Sequence, residues 1–222
     1  MNKVYNTVWN ESTEMWVVTS ELTRKGGRRP RQIRRTALAG LIAGLLLPSA
    51  PALATDYKNQ TLESGGTSSS MSLSAGDTAT NTTINIGGFQ NVYSGGSATS
   101  TTINSGGFQN VYSGGSATST TNSGGLQDVH SGGSATSTTI NSGGLQNVHS
   151  GGSATSTTIN SRGQQRVSSG GSATGTTINS GGHQNVSSGG SATSTTINSG
   201  GQQRVSSGGS ATGTTINSGG QQ

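Results

Sequence analysis

The chain has 222 residues, 38 of them glycine, with only 26% hydrophobic and 9% charged residues, too little apolar surface for a conventional globular core. Its net charge of +5 arises entirely within residues 1–54, where Lys3, Arg24, Lys25, Arg28, Arg29, Arg31, Arg34 and Arg35 outnumber Glu11, Glu14 and Glu21. Beyond them Lys58, Arg162, Arg166 and Arg204 balance Asp56, Glu63, Asp77 and Asp128, which excludes the basic stripe of a nucleic-acid-binding protein, and the absence of cysteine excludes disulfide frameworks and thiolate metal sites.

Residues 1–54 read as a secretion leader. A cluster of arginines precedes an apolar run, Ala37 to Leu47, and small residues follow at Ala52 and Ala54. These are the charged region, apolar region and A-x-A site of a signal peptide, with cleavage predicted between Ala54 and Thr55. A membrane-spanning helix needs roughly 20 apolar residues, more than this run supplies. The leader is unusually long. Its first part, MNKVYNTVWNESTEMWVVTSELTRKGG, holds both tryptophans of the chain, Trp9 and Trp16. Through Met1-Asn2-Lys3, Trp9-Asn10, Trp16-Val17-Val18 and Ser20-Glu21-Leu22 it resembles the extended signal-peptide region of large autotransporters of Gram-negative bacteria. The resemblance implies that the extension slows or tunes inner-membrane targeting and is removed with the signal.

Residues 55–80 read as a transition or cap segment, and residues 81–222 as a repeat array. Val92, Val111, Val129, Val148, Val167, Val186 and Val205 recur at intervals of 19, with a single 18. Isoleucines from Ile84 to Ile216 keep the same period, except that Thr120-Thr121-Asn122 lacks its isoleucine. Internal repetition at such a period marks a stacked architecture. A unit such as FQNVYSGGSATSTTINSGG divides into two short segments, each closed by Gly-Gly; paired glycines favour turns, and Thr, Val and Ile favour strands. One unit buries too little alone, whereas stacked units share a continuous interior. The expected fold is therefore all-β, a right-handed parallel β-helix (β-solenoid) of about seven 19-residue rungs.

Differences between units assign the faces. Position 89 varies as Phe89, Phe108, Leu126, Leu145, Gln164, His183 and Gln202, and position 93 as Tyr93, Tyr112, His130, His149, Ser168, Ser187 and Ser206, while Gln90 and Val92 recur. Strand side chains alternate, so Val92, Ala98, Thr101 and Ile103 are assigned to the interior, positions 89, 91 and 93 to solvent, and the glutamines to stacked side-chain ladders. Disorder is the competing reading, because Gly/Ser-rich sequence usually forms flexible linkers. Burying one Val and one Ile contributes roughly 3–6 kcal/mol per unit, against roughly 1–2 kcal/mol per residue of backbone ordering. Stability must come largely from ladders shared between rungs.

Across about Asn81 to Gln222 the GG-x-A-x-x-T-x-I-N-x-GG-x-Q-x-V pattern resembles the 19-residue repeats of the self-associating autotransporter adhesins of the diffuse-adherence type. The resemblance implies a surface-exposed passenger, exported through the secretion translocon and periplasm to the outer membrane and cell surface. It implies self-aggregation with identical passengers on neighbouring cells, biofilm formation and attachment to host-cell receptors. It also implies a heptosyltransferase partner, for which Ser97, Thr99, Ser100 and Thr102 are candidate acceptors. Phe89, Tyr93, Phe108 and Tyr112 are the candidate contact face. The chain stops within a unit, and the expectation is of a truncated passenger without its β-barrel.

An enzyme is a poor fit, because carbohydrate-cleaving chemistry needs paired acid and base groups and Asp128 is the sole acid of the repeats. His130 and His149 can stack one rung apart but have no evident third ligand. No catalytic, cofactor or metal residues are assigned. A repetitive ice-binding or matrix solenoid is the remaining alternative, on the regular hydroxyls around Thr99, Ser100 and Thr101.

Overall fold

The computed structural model describes the backbone of Tyr5–Asn10 and Met15–Ser20 and the whole of residues 53–222. In the first segment, β1 (Tyr5–Asn10) and β2 (Met15–Ser20) form an antiparallel pair in which Trp9 lies opposite Trp16 and Val8 opposite Val17. Both strands are rich in β-branched and aromatic residues, which suit a pleated surface. The apolar run and the whole arginine cluster lie outside the described residues.

The second segment is an all-β parallel solenoid of about eight turns. One turn consists of Phe89–Val92, Ser97–Thr99 and Thr102–Asn104. Each strand pairs in parallel with its equivalent one turn earlier and one turn later, giving sheets of eight, nine and nine strands among the described residues. The register is one repeat unit throughout, as in Val92↔Val111↔Val129 and Ala98↔Ala117↔Ala135.

Each turn has three strands rather than the two segments expected. The second segment bends at Ser100, whose φ of 57° puts it in the left-handed region. An L-residue there costs roughly 1–2 kcal/mol, and the bend is held by the Ser100 amide donating to the Thr118 carbonyl one turn on, at 2.9 Å. Equivalent positions carry Asn59, Asn81, Gly175 and Gly213, residue types that enter this region at lower cost. That substitution pattern is the sequence sign of the corner.

The number of turns exceeds the expected seven because residues 55–80 join the stack. Asp56–Lys58, Thr61–Leu62 and Ser70–Leu73 each head one of the three sheets. Leu62 pairs with Ile84, 22 residues on, whereas Leu73 pairs with Val92, 19 on. Three extra residues between them hide this turn from the 19-residue period. Its leading strand carries an exposed Lys58–Asp56 ion pair of 2.8 Å. Such a pair adds little stability, but charge on an open strand edge discourages pairing with other chains.

Val92, Ala98, Thr101 and Ile103 lie inside, all at most 1% exposed, as expected. Gln90 is equally buried. The glutamines form the expected ladder: Gln109 Nε2 donates to Gln90 Oε1 at 2.7 Å, and the same bond recurs through Gln127, Gln146, Gln165, Gln184 and Gln203 at 2.6–2.7 Å. Each amide oxygen also accepts from a threonine, buried in all but the last turn, as when Thr101 Oγ1 donates to Gln90 Oε1 at 3.2 Å. Turns stay close because the second glycine of each pair has no side chain: a Cβ at Gly107 would sit 2.5 Å from the Ile84 carbonyl oxygen.

The short unit leaves a local fault. Asn122 occupies the isoleucine position between Ile103 and Ile140 and is fully buried. Its amide is satisfied by the backbone, with Nδ2 donating to the Leu145 carbonyl at 2.8 Å and Oδ1 accepting from the Gly125 amide at 2.9 Å. The column of isoleucines is interrupted there without an orphaned polar group.

Two variants test this account by reversible thermal or denaturant unfolding. Gln146→Ala removes a buried donor and acceptor and opens a void, and is expected to cost about 2–4 kcal/mol, whereas Asn147→Ala next to it, half-exposed, should cost under about 1 kcal/mol. Inserting isoleucine between Thr121 and Asn122 restores the apolar column and is expected to stabilise the array by about 1–3 kcal/mol.

Candidate functional site

With the interior filled, the outward positions of the three sheets are what the molecule offers a partner. The strand Ser97–Thr99 turns Ser97 and Thr99 outward around the buried Ala98, and Thr102–Asn104 turns Thr102 and Asn104 outward around Ile103. Ser100 stands exposed on the corner between them. The four candidate acceptor hydroxyls therefore spread over two faces and an edge. Thr101, among them in sequence, is buried and committed to the glutamine ladder.

Hydroxyl and amide side chains repeat in columns along the stack. Asn104 Nδ2 donates to Asn85 Oδ1 at 2.8 Å, and after the short unit the column resumes through Asn141, Asn160, Asn179, Asn198 and Asn217 at 2.7–2.8 Å. A shallow groove of about 360 Å³ follows the corner, lined by Asn81, Thr83, Ser100, Thr102, Ser119 and Thr121 among others.

The third face, built on Phe89–Val92 and its equivalents, changes character along its length. Phe89 and Phe108 stack with ring centroids 5.2 Å apart, and Tyr93 and Tyr112 at 4.9 Å. The structure thus joins the four candidate contact residues into two parallel columns at opposite edges of one face. Phe89 is 42% and Tyr93 39% exposed. The second column continues through His130, stacked on Tyr112 at 4.6 Å, to His149 at 4.9 Å. Later turns replace the aromatics with Gln164, Gln202, Ser168, Ser187 and Ser206, beside Arg166 and Arg204.

The histidines stand one turn apart, as their spacing implies, and their Nε2 atoms are buried without a hydrogen-bond partner. Burial lowers the His130 pKa below its ordinary value, helped by His149 and opposed by Asp128, while burial pushes the Tyr112 hydroxyl up. Asp128 accepts from Asn147 Nδ2 at 2.7 Å. Among the described residues no three His, Cys, Asp or Glu side chains converge on a common point.

One apolar surface residue escapes the reading of the repeat. Ile86, 71% exposed, replaces the serine found at 105 and its equivalents. Aligning the turn residues as well as the strand residues reveals it.

At the start of the solenoid Leu53, Ala54 and Thr55 are exposed. The Thr55 amide donates to Asp77 Oδ1 at 2.7 Å and the Ser74 amide to Oδ2 at 2.9 Å. The Ser74 and Thr55 amides hold the Asp77 carboxyl below its ordinary pKa.

Residues 1–50 match the family described as Extended Signal Peptide of Type V secretion system. Residues 141–182 and 178–220 match Adhesin of bacterial autotransporter system, probable stalk. The chain is 88% identical over 92 residues to the autotransporter CRAC of Citrobacter rodentium (strain ICC168), a stretch covering 41% of this chain and 6% of that protein. It is 78% identical over 92 residues to the autotransporter adhesin/invasin TibA of Escherichia coli O78:H11, covering 41% and 9%. The chain thus spans under a tenth of the length of these curated relatives over the matched region. The crystal structure of a TibC-catalysed hyper-glycosylated TibA fragment superposes with a TM-score of 0.70 at 62% identity, over 75% of this chain and 64% of that one.

His130 yields a pH dependence with a definite sign. The folded state favours neutral His130, so the unfolded chain binds a proton first as pH falls through the ordinary histidine range. Stability present above pH ~6.5 is lost on acidification. Melting temperatures followed from pH 8 to pH 5 should fall, and His130→Tyr, which continues the Tyr93–Tyr112 column, should flatten part of that slope.

Proposed function

We propose that this chain, which carries the extended signal peptide and stalk repeats of an autotransporter adhesin, makes cell-to-cell contact through the outward columns of its solenoid. Its leader and its relatives put it on the export route to the outer membrane and cell surface of a Gram-negative bacterium. The observation that carries the reading is the in-register stacking of identical outward side chains, above all Phe89 on Phe108 and Tyr93 on Tyr112. Many weak contacts made together by such columns give high avidity without a specialised pocket. Neighbouring aromatics hold each other in place, so little side-chain freedom is lost on contact.

Identical passengers on neighbouring cells are the first partners in this reading, with host-cell receptors as the second. A glycosyltransferase, of heptosyl type from the resemblance, is a third. The TibA fragment was glycosylated by TibC, and Ser97, Thr99, Ser100 and Thr102 are the outward hydroxyls proposed as acceptors here. Signal cleavage is proposed between Ala54 and Thr55, where the chain is exposed and the first strand begins one residue later. Domain limits of 1–54 for the leader and 81–222 for the regular array follow, with 55–80 supplying the first turn. The reading assigns the array no catalytic role.

Settling of bacteria that display the array tests the contact function. Replacing Phe89 and Phe108 with Gln, and Tyr93 and Tyr112 with Ser, copies residues that later units already carry. Settling is expected to slow several-fold while the amount displayed stays constant. Cells lacking the array should be left out of mixed aggregates. Unchanged settling of the variant, or inhibition of ice recrystallisation by the purified array in place of aggregation, counts against the reading.

A further inference from the structure

The solenoid carries no net charge, yet its charges are not mixed. Asp56, Glu63 and Asp77 sit with Lys58 at its start, no acid follows Asp128, and Arg162, Arg166 and Arg204 all lie beyond it. The register puts Arg166, Asn185 and Arg204 in one outward column of the third face, with Asp128 and Asn147 directly before them. Arg166 and Arg204 are both exposed, and two turns set them about 9.6 Å apart. Arg166 Nη2 meets Gln164 Oε1 at 3.5 Å. Among the described residues the one ion pair is Lys58–Asp56, so neither guanidinium has an ionic partner.

We propose that this stretch of the third face binds an acidic polysaccharide, laid along the stack over Arg166, Asn185 and Arg204. The proposal deepens the attachment reading by giving the chemical class of the partner, and it rests on that reading for the solenoid's place outside the cell. A guanidinium presents a planar fork of donors that matches a carboxylate two bonds at a time. Arginine on alternate turns repeats the fork at a fixed step, which suits a polymer whose carboxylates are regularly spaced. Beside the arginines Gln164, His183, Asn185 and Gln202 line, with Arg204, an open groove of about 680 Å³. Their amides carry donors and acceptors together, as hydrogen bonding to ring hydroxyls requires.

Side-chain type selects carbohydrate over other polyanions. The outward positions of Gln164–Ser168, His183–Val186 and Gln202–Val205 carry no Phe, Tyr or Trp on which nucleic-acid bases could stack. Nor do they carry the large apolar anchor around which protein partners pack. Asp128 bounds the site at one end, because its carboxylate, two turns before Arg166, repels a polyanion that extends that far.

The test measures capture of fluorescent polygalacturonate, with uncharged dextran as control, by bacteria that display the array and by cells without it. Array-dependent capture is expected for polygalacturonate alone, and it should fall as salt rises. Arg166→Asn and Arg204→Asn copy Asn147 and Asn185 of the same column, so the stack is preserved. Each should weaken binding about threefold, and both together about tenfold. Asp128→Asn should strengthen it about twofold. Unchanged binding by the double arginine variant overturns the proposal, as does equal capture of dextran. Equal capture of polyglutamate or single-stranded DNA overturns the assignment to carbohydrate. The double variant should settle as fast as unaltered cells; slower settling with polysaccharide binding intact assigns the arginines to contact between copies and also overturns the proposal. Failure of the contact reading is distinct, since it shows as unchanged settling when Phe89, Phe108, Tyr93 and Tyr112 are replaced.

Discussion

The solenoid depends on one constraint: a 19-residue turn made largely of Gly, Ser and Thr cannot order itself by burying apolar surface. Ile103, Val92 and Ala98 are fully enclosed, but they are small and few. What completes the interior is a polar ladder. Gln109, Gln127 and Gln146 each donate to the amide oxygen one turn earlier, and threonines such as Thr120 close the remaining lone pair. A buried amide left unpaired is costly, and one paired on both sides fixes the register of its neighbours. Shifting a strand by one residue would expose the valines and strand the glutamines at once.

That interior constraint explains why the exterior can vary. Backbone hydrogen bonds and buried ladders lock the stack, so positions 89, 91 and 93 need only be compatible with a strand. Over seven units position 89 passes from Phe to Leu to Gln and His, and position 93 from Tyr to His to Ser, without disturbing the pairing of Val92, Val111, Val129 and Val148. One face therefore grades from aromatic to hydroxyl and arginine along a single scaffold. Contact properties are set by whichever side chains a unit happens to carry.

Much of this was legible in the sequence because the repeat compares one environment with itself seven times. The recurrence of Gln90 and Val92 against variable neighbours separates inside from outside without a structure. Three features were hidden, each for a physical reason. The bend at Ser100 relies on a backbone conformation that serine does not advertise, although Asn81 and Gly175 at the same corner betray it. The first turn was obscured by its longer loop. The fault at Asn122 was visible as a missing isoleucine, but not that asparagine would move into its place and be satisfied by Gly125 and Leu145. At the candidate contact face, the spacing gave the residues but not the face-to-face contact of Tyr112 with His130.

The uniform one-unit register makes length a free variable. Since each regular turn presents the same side-chain acceptors to its successor and the same donors to its predecessor, a block of whole turns can be added or lost by genetic recombination without creating a mismatched junction. The 38-residue echo that pairs Arg166 and Gly175 with Arg204 and Gly213 has the form such an event leaves behind. Each turn gained extends the stack by about 4.8 Å, so copy number tunes reach in small equal steps while the chemistry of any given turn stays as it was.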